Sequence, residues 1–371
     1  MKINKIKLIN FRNYSKIDIN LSNKINIIIG NNAQGKTNIL ESIYVLALTK
    51  SFRTTNDSNL IKLDSSKFII SGNVKNDKIP KKLSIEYDNK KKIVKYNDSV
   101  VKKMSDYVGN LYVLLSSPDD IRIIKGSPQD RRNFINTEIS QLSNEYLKIY
   151  NEFNKLLKMR NDYLKILYTN SLGDYNYLDV LNEKLIEKEI FIYKKRKEFI
   201  DYINKYITDI YKDISEVDNL KIVYVNNIDL NKFEDEEIKE KLKNKYKQNL
   251  HREIALGMTL YGPHRDDFYL NIDEGDIKIY GSQGQQKLAF ISLKFAELKI
   301  FEEKKLSKPI ILLDDIFSEL DKKKKNKLIE YISSDYQTVI TTNDIRQISK
   351  KILKDAKIFK VKNNMIEEGG K

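Results

Sequence analysis

Eight residues at 30–37, Gly-Asn-Asn-Ala-Gln-Gly-Lys-Thr, set two glycines, a lysine and a threonine at a spacing suited to polyphosphate. Gly30 and Gly35 let the backbone wrap tightly, so that its amides point at phosphate oxygens. Lys36 brings positive charge to the terminal phosphates, and Thr37 offers a hydroxyl ligand for magnesium. The helix that must follow adds its positive end. Gly30, Asn31, Asn32, Ala33, Gln34, Gly35, Lys36, Thr37 and Asn38 are therefore expected to bind ATP, with Lys36 also serving catalysis. A chance glycine turn is the plain alternative. It does not account for a loop between an apolar strand and a helix.

A second motif, Ile310-Ile311-Leu312-Leu313-Asp314-Asp315, is an apolar strand ending in paired acids. Such a strand places a carboxylate beside the phosphates. Asp314 is expected to hold Mg2+, and Asp315 to orient or deprotonate the attacking water. Alone, the pattern also fits a strand running into a solvated acidic turn. A third motif, Ser282-Gln283-Gly284-Gln285-Gln286-Lys287, precedes a helix. Ser282, Gly284 and the amides up to Gln285 form a phosphate-binding cap by type. The chain already carries one phosphate loop, so a second cap points to a nucleotide site completed by another molecule. An ordinary serine-capped helix is the alternative.

The surrounding pattern supplies elements to carry these motifs. Residues 3–9 and 17–21 alternate, and 25–29 is a short buried run; all three read as strands. The helix at 38–48 carries Ile39, Ile43 and Leu46 or Ala47 on one face. Short antiparallel strands fit 60–100, and 111–115 is a further buried strand. From about 130 to 215 the pattern is helical and charged. Apolar residues at threes and fours give two helices of about six turns each, joined at 171–176 as an antiparallel hairpin. Residues 221–226 form a strand, 233–249 a charged helix, 259–273 a turn and strand. Residues 283–304 are helical again, 337–342 a strand and the C-terminus a strand pair. The helical part is expected to interrupt one ATP-binding domain rather than to form a tail; its expected bounds are 126–250, between head segments 1–125 and 251–371. The fold class expected is α/β, a P-loop ATPase head with mixed sheets and an inserted helical arm.

Bulk properties narrow the field. The chain has 371 residues and a net charge of +15, carried mostly by lysine. A lysine, isoleucine and asparagine bias follows either from an AT-rich genome or from selection for a basic surface facing a polyanion. With 40% apolar residues a packed core is available. The chain has no cysteine, which excludes disulfides and thiolate metal sites. The two histidines, His251 and His264, lie far apart in sequence. No signal peptide or membrane-length apolar run is present, so a cytoplasmic location is expected. Basic groups occur at Lys125, Arg131 and Arg132 and at Lys194-Lys195-Arg196-Lys197. Each fits contact with DNA phosphates, and each fits a solvated charged face equally well.

Together, GNNAQGKTN, SQGQQK, LLDD and SELD resemble the ATPase heads of the SMC and ABC class. More narrowly, INFRNY (9–14), SFRT (51–54), SPDDIRIIKGSPQDRRNFIN (117–136), YGPHRDD (261–267), GSQGQQK (281–287) and LLDDIFSELD (312–321) resemble the RecF family along essentially the whole chain. The resemblance implies an SMC-like head with a short helical arm. It implies an ATP-dependent homodimer in which Ser282 and Gln283 of one copy cap the ATP of the other. Ser318 and Asp321 are then expected in a loop crossing the dimer interface. It further implies binding to double-stranded DNA and to single-strand/double-strand junctions at the nucleoid. It implies, too, a slow, DNA-stimulated ATP hydrolysis that resets the clamp. The functional partners implied are RecR, RecO and RecA, on gapped DNA covered by single-strand binding protein.

This sequence departs from the wider class at three points. Asp315 stands where a glutamate is usual, which fits weak hydrolysis and leaves the base open. Thr341 and Thr342 end the last core strand where a histidine is often used, so a threonine hydroxyl is the candidate phosphate sensor. Ser116 and Ser117 stand where a glutamine is usual. Arg53, His264 and Arg265 are candidates for nucleotide, DNA or interface contact. A solvated arginine and a structured turn are their respective alternatives. Three functions remain to be told apart: a DNA-binding ATP-gated clamp, a head whose ATP governs dimerisation alone, and an ordinary NTPase acting on small substrates. The motif at 282–287 argues against the third.

Overall fold

The computed structural model describes residues 1–76, 79–169, 173–215, 219–273, 275–304, 306–317, 322–332 and 335–369. In chain order the first strands are β1 (Lys2–Phe11), β2 (Tyr14–Asn20) and β3 (Ile25–Ile29), followed by helix α1 (Lys36–Leu48). Strands β4 (Phe68–Asn76), β5 (Ile79–Tyr87), β6 (Lys92–Tyr96), β7 (Ser99–Val100) and β8 (Val113–Ser116) come next. The helical stretch holds α2 (Arg122–Lys125), α3 (Pro128–Leu142), α4 (Asn144–Thr169) and α5 (Tyr175–Ser215). Then follow β9 (Lys221–Val225), α6 (Asp235–Leu256), β10 (Asp267–Ile272), β11 (Gly275–Asp276), α7 (Ile277–Tyr280) and α8 (Gln283–Glu303). The C-terminal part runs β12 (Ile310–Asp314), α9 (Lys322–Tyr331), β13 (Thr338–Thr342), α10 (Lys350–Asp355), β14 (Ala356–Lys362) and β15 (Met365–Glu368).

The chain forms two compact units. The first comprises Met1–Asp120, Asp209–Val217 and Lys287–Lys371 and contains two six-stranded sheets. One sheet is antiparallel, in the order β2-β1-β4-β5-β6-β7. The other, β15-β14-β3-β13-β12-β8, is parallel except at β15. Parallel strands covered on both faces read as continuous apolar runs. Ile27, Ile28, Ile311, Leu312, Val339 and Ile340 are accordingly inaccessible to solvent. Register aligns Ile29 with Thr342, Thr341 with Asp314, and Leu313 with Ser116. The carboxyl ends of four strands therefore share one edge, which is where open α/β sheets bind ligands. Helix α1 touches strands of both sheets. Residues 39–48 are buried on every side rather than on the single face expected from Ile39, Ile43 and Leu46.

The second unit comprises Ile121–Thr208 and Asp218–Gln286. These divisions fall elsewhere than the expected 125/126 and 250/251. The physical ties are the antiparallel ladder of β10 with β9 and ion pairs from α3 and α5 to the start of β10. The helices also differ from the expected pair of six-turn arms. Ser143 adopts an extended conformation and separates α3 from α4. Helix α5 runs unbroken for 41 residues, about eleven turns. No glycine or proline interrupts it. Part of the expected 171–176 connection lies outside the described residues. Helix α6 extends to Leu256, where Gly257 takes a left-handed conformation (φ 60°) and its N–H bonds back to the Glu253 and Ile254 carbonyls.

Candidate nucleotide-binding site

The loop between β3 and α1 is shaped by two backbone requirements. Gly35 has φ +102°, and a Cβ there would meet Asn13 and the Tyr14 hydroxyl within 3 Å. Gly30 has an ordinary φ, but a Cβ would lie 2.6 Å from the Val361 carbonyl. Neighbouring turns hold the loop from outside. The Tyr14 hydroxyl donates to the Gly35 carbonyl at 3.1 Å, and the Asn363 amide donates to Gln34 Oε1 at 2.7 Å. Asn13 donates through Nδ2 to Asn364 Oδ1 and accepts at Oδ1 from Asn38 Nδ2. The turn after β1 and the β14–β15 hairpin thus clasp the phosphate loop together.

Lys36 Nζ folds back to donate to the Gly30 and Asn31 carbonyls at 2.8 and 3.0 Å. Burial pushes the Lys36 ammonium below its ordinary range, and the nearby Asp315 and Asp314 carboxylates pull it back up. Thr37 Oγ1 lies 3.0 and 2.9 Å from the two carboxylate oxygens of Asp314. The Thr341 hydroxyl donates to Asp314 Oδ1 at 2.5 Å and accepts from the Asp315 amide at 3.1 Å. Asp315 stands at φ 48°, so the chain turns sharply at the strand end. A cleft of about 400 Å³ is lined by Asn32, Lys36, Thr37, Asp314 and Asp315, and also by Arg53 and Pro118.

Residues brought together here from 277 positions apart in sequence, Thr37 and Asp314, form an oxygen-only donor set of the kind magnesium accepts. Among the described residues no group of three or more His, Asp or Glu side chains forms a metal cage. Of the two candidate sensors, Thr341 touches a site side chain. The Thr342 hydroxyl is engaged with the backbone of Asp344. Ser117, next to Pro118, donates its amide to Asp120 Oδ2 at 2.6 Å. Its buried hydroxyl has no partner among the described residues.

Ser282 and Gln285 form a reciprocal cap on α8. Ser282 Oγ accepts from the Gln285 amide at 3.2 Å, and Gln285 Oε1 accepts from the Ser282 amide at 2.8 Å. Both the Gln285 amide and its side-chain oxygen are therefore engaged within the motif. Gln283 and Gly284 stand in the first turn, whose N–H groups have no intrahelical acceptor. Gln286 is buried and bonds through Nε2 to the Ile277 and Gly281 carbonyls at 3.0 Å, joining α7 to the cap. Ser318 and Asp321 lie outside the described residues.

The basic candidates separate sharply. Arg196 is buried at 1% exposure, paired with Asp266 at 3.1 Å and bonded to the Pro263 carbonyl and Asn136. Arg131 is buried in a two-point pair with Asp267 at 2.6 and 2.7 Å. Neither guanidinium is placed to meet a DNA backbone, which corrects the expectation for both. Each sits on the inward stripe of its helix, and charge alone could not show that. Lys194, Lys195 and Lys197 each pair with a carboxylate at the surface. Arg132 donates to the Asp266 carbonyl at 2.8 Å, while Lys125 and Arg265 are exposed. His264 Nε2 lies 3.1 Å from the Thr259 carbonyl, and burial pushes its imidazole down to about 4.

Sequence reasoning assigned no role to Arg12, Asn13 and Glu41. Glu41 is fully buried and accepts from Arg12 at 2.8 and 2.6 Å. The available signal was a lone carboxylate within ILESIYVLAL, since a buried acid requires a cation or several donors.

The chain belongs to the RecF/RecN/SMC N-terminal domain family, whose model matches residues 2–367. Within that family its full-length likeness is to RecF. It is 40% identical over 369 residues to the DNA replication and repair protein RecF of an Exiguobacterium species, covering 99% of both chains. It is 39% identical over 370 residues to the RecF of Staphylococcus carnosus, covering 99% of this chain and all of that one. A solved structure of the recombination mediator protein RecF with ATP, in the RecFOR pathway, matches with TM-score 0.92 and 33% identity. That match covers 100% of this chain and 98% of the other. An SMC head solved with the C-terminal winged-helix domain of ScpA matches with TM-score 0.55 and 15% identity, over 100% and 98% of the chains, and shares the fold. The head is thus of the SMC/ABC type, as expected.

Proposed function

We propose that this chain is an ATP-gated DNA clamp of recombinational gap repair, closing as a homodimer around two nucleotides. The observation that carries the reading is the convergence of Lys36, Thr37, Asp314 and Asp315 on one cleft at a parallel sheet edge. Full-length similarity to RecF, including the structure solved with ATP, supports ATP as the ligand. On this reading the loop amides and Lys36 bind the β- and γ-phosphates, while Thr37 and Asp314 hold Mg2+. Bound magnesium offsets the charge on the phosphates. Asp315 orients the attacking water, and Thr341 links the γ-phosphate state to the Asp314 strand.

The cleft adjoining the phosphate loop, about 480 Å³ and lined by Arg12, Asn13, Arg53, Lys62 and Leu63, takes the nucleoside. Leu63 is 83% exposed there, an apolar surface suited to a base face. The Ser282 hydroxyl accepts from Gln285 and keeps its own proton to donate to a γ-phosphate on a second copy. Two such sites form by two-fold symmetry. Hydrolysis is weak and DNA-stimulated, and it reopens the dimer. Lys125, Arg132, Arg265 and the lysines of α5 are the remaining candidates for backbone contact with duplex DNA and its single-strand junctions. The partners are RecR directly and RecO and RecA functionally, in the cytoplasm at the nucleoid.

The test is sizing by light scattering with Mg-ATP or a non-hydrolysable analogue, with and without duplex DNA, beside Lys36→Ala. Dimer formation by the wild type and none by the variant is expected. A chain that binds ATP yet stays one size with analogue and duplex present refutes the clamp.

A further inference from the structure

The fully buried carboxylate of Glu41 sits on α1, one turn beyond Thr37, and is shared by two arginines from separate segments. Arg12, in the turn after β1, gives it Nε at 2.8 Å and Nη2 at 2.6 Å, and its third nitrogen, Nη1, bonds to the Asn59 carbonyl at 2.8 Å. Every nitrogen of that guanidinium is engaged. Arg53 is held differently. Its Nη1 lies 2.9 Å from Asn38 Oδ1 and only 3.5 Å from Glu41 Oε2. Its side chain is 37% exposed and lines both the phosphate-loop cleft and the adjoining cleft. Ser51 completes the arrangement. Its hydroxyl donates to Glu41 Oε1 at 2.6 Å and accepts from the Arg53 amide at 2.9 Å.

One carboxylate thus faces two cations. A two-point pair is the stronger geometry, so Arg12 neutralises Glu41 and the charge of Arg53 is left largely uncompensated. Among the described residues Arg53 has no other carboxylate partner. The Asn38 contact fixes where that charge stands and the Ser51 contact fixes the backbone that carries it, and neither cancels it. A long arginine held this way loses less rotamer freedom when an anion arrives, which is a gain in affinity by preorganisation.

We propose that Glu41 is a positioning residue of the nucleotide site: with Ser51 it holds Arg53 at the boundary of the two clefts, charged and ready for the polyphosphate, while Arg12 balances its own charge. The proposal rests on the nucleotide reading above, and its test separates the two. Binding of Mg-ATP is measured by equilibrium dialysis for wild type, Glu41→Gln, Arg53→Gln and the double variant, with thermal melts to establish folding. Glu41→Gln and Arg53→Gln are each expected to weaken binding about tenfold, the scale of one charge-assisted contact. The double variant is expected to bind no worse than Arg53→Gln alone, because both changes remove the same contact. Equal affinity of wild type and Glu41→Gln overturns the proposal. So does a full additional loss from Glu41→Gln in the Arg53→Gln background. Should Glu41→Gln fail to fold, Ser51→Ala replaces it: a loss of about threefold that disappears beside Arg53→Gln supports the proposal, and no loss overturns it. A wild-type chain that does not bind Mg-ATP overturns the nucleotide reading itself.

Discussion

Glu189 offers a quantitative test of the second unit's core. It lies on α5, fully buried, with both carboxyl oxygens within 2.9 Å of the Tyr246 hydroxyl. Burial pushes its carboxyl from the ordinary 4.5 up to about 8, against smaller pulls from the Tyr246 hydroxyl and then Arg160. A raised folded-state value means that the folded chain binds the proton more tightly. The associated stability is present in full below pH 4.5 and is lost as pH rises through 8. Two neighbours titrate lower: Asp266 is raised to about 6 by burial, and His264 is lowered to about 4 by burial. Above the ordinary histidine value of 6.5, Glu189 is left as the shifted acid. Between pH 6.5 and 8 it should remove roughly 1.5 kcal/mol of stability, about a tenfold change in the opening equilibrium. Glu189→Gln keeps the shape and cannot ionise, so that part of the slope should vanish. Amide exchange on peptides covering 185–200, expressed as protection factors, reads this opening for both proteins at pH 6.5 and 8. Equal pH dependence of wild type and Glu189→Gln refutes the assignment of a neutral, buried carboxyl.

Arg196→Met should destabilise the second unit by about 3–5 kcal/mol, because Asp266 is left buried without its cation. Replacing Lys194, Lys195 and Lys197 with alanine should leave the melting temperature nearly unchanged, and a lower salt slope of DNA affinity would assign them to phosphate contact. Asp315→Asn is expected to retain ATP binding and to slow single-turnover hydrolysis by about 10²-fold, which lengthens dimer lifetime; an unchanged rate moves the catalytic role elsewhere. Asp314→Asn should instead weaken binding in a magnesium-dependent way, checked by titration with and without chelator. Ser282→Arg should bind ATP as a monomer but not dimerise, and mixing it with Lys36→Ala should restore part of the ATPase through one intact composite site. Normal ATP-driven dimerisation of Ser282→Arg would reduce the motif to a helix cap.

Local order was legible from the residues wherever a short segment imposes its own conformation. The loop at 30–37 requires glycine at a left-handed position and at a close approach, and both requirements recur in the structure. Apolar runs such as INIII and IILLD, each bounded by turn residues, read as buried strands, and in the structure both pair in parallel with β13. Capping by Ser282 and Gln285 follows from a serine and a glutamine three residues apart. Helix length was less legible, because a charged stretch without glycine or proline contains nothing that says where α5 should stop.

Long-range pairing was decided by the tertiary structure. Arg196 and Lys197 are neighbours in a basic run, yet one is buried against Asp266 and the other pairs at the surface with Asp201. Successive helical positions point about 100° apart, so what packs against the helix decides which cation is buried. The same holds for Glu41, whose role depends on Arg12 and Arg53 arriving from two other segments. Composition and motif determined that this chain has a phosphate loop, an acid-ended strand and a capped helix. Which carboxylates face which cations, and so which charges remain available to a ligand, was decided only when strands and helices distant in sequence closed around them.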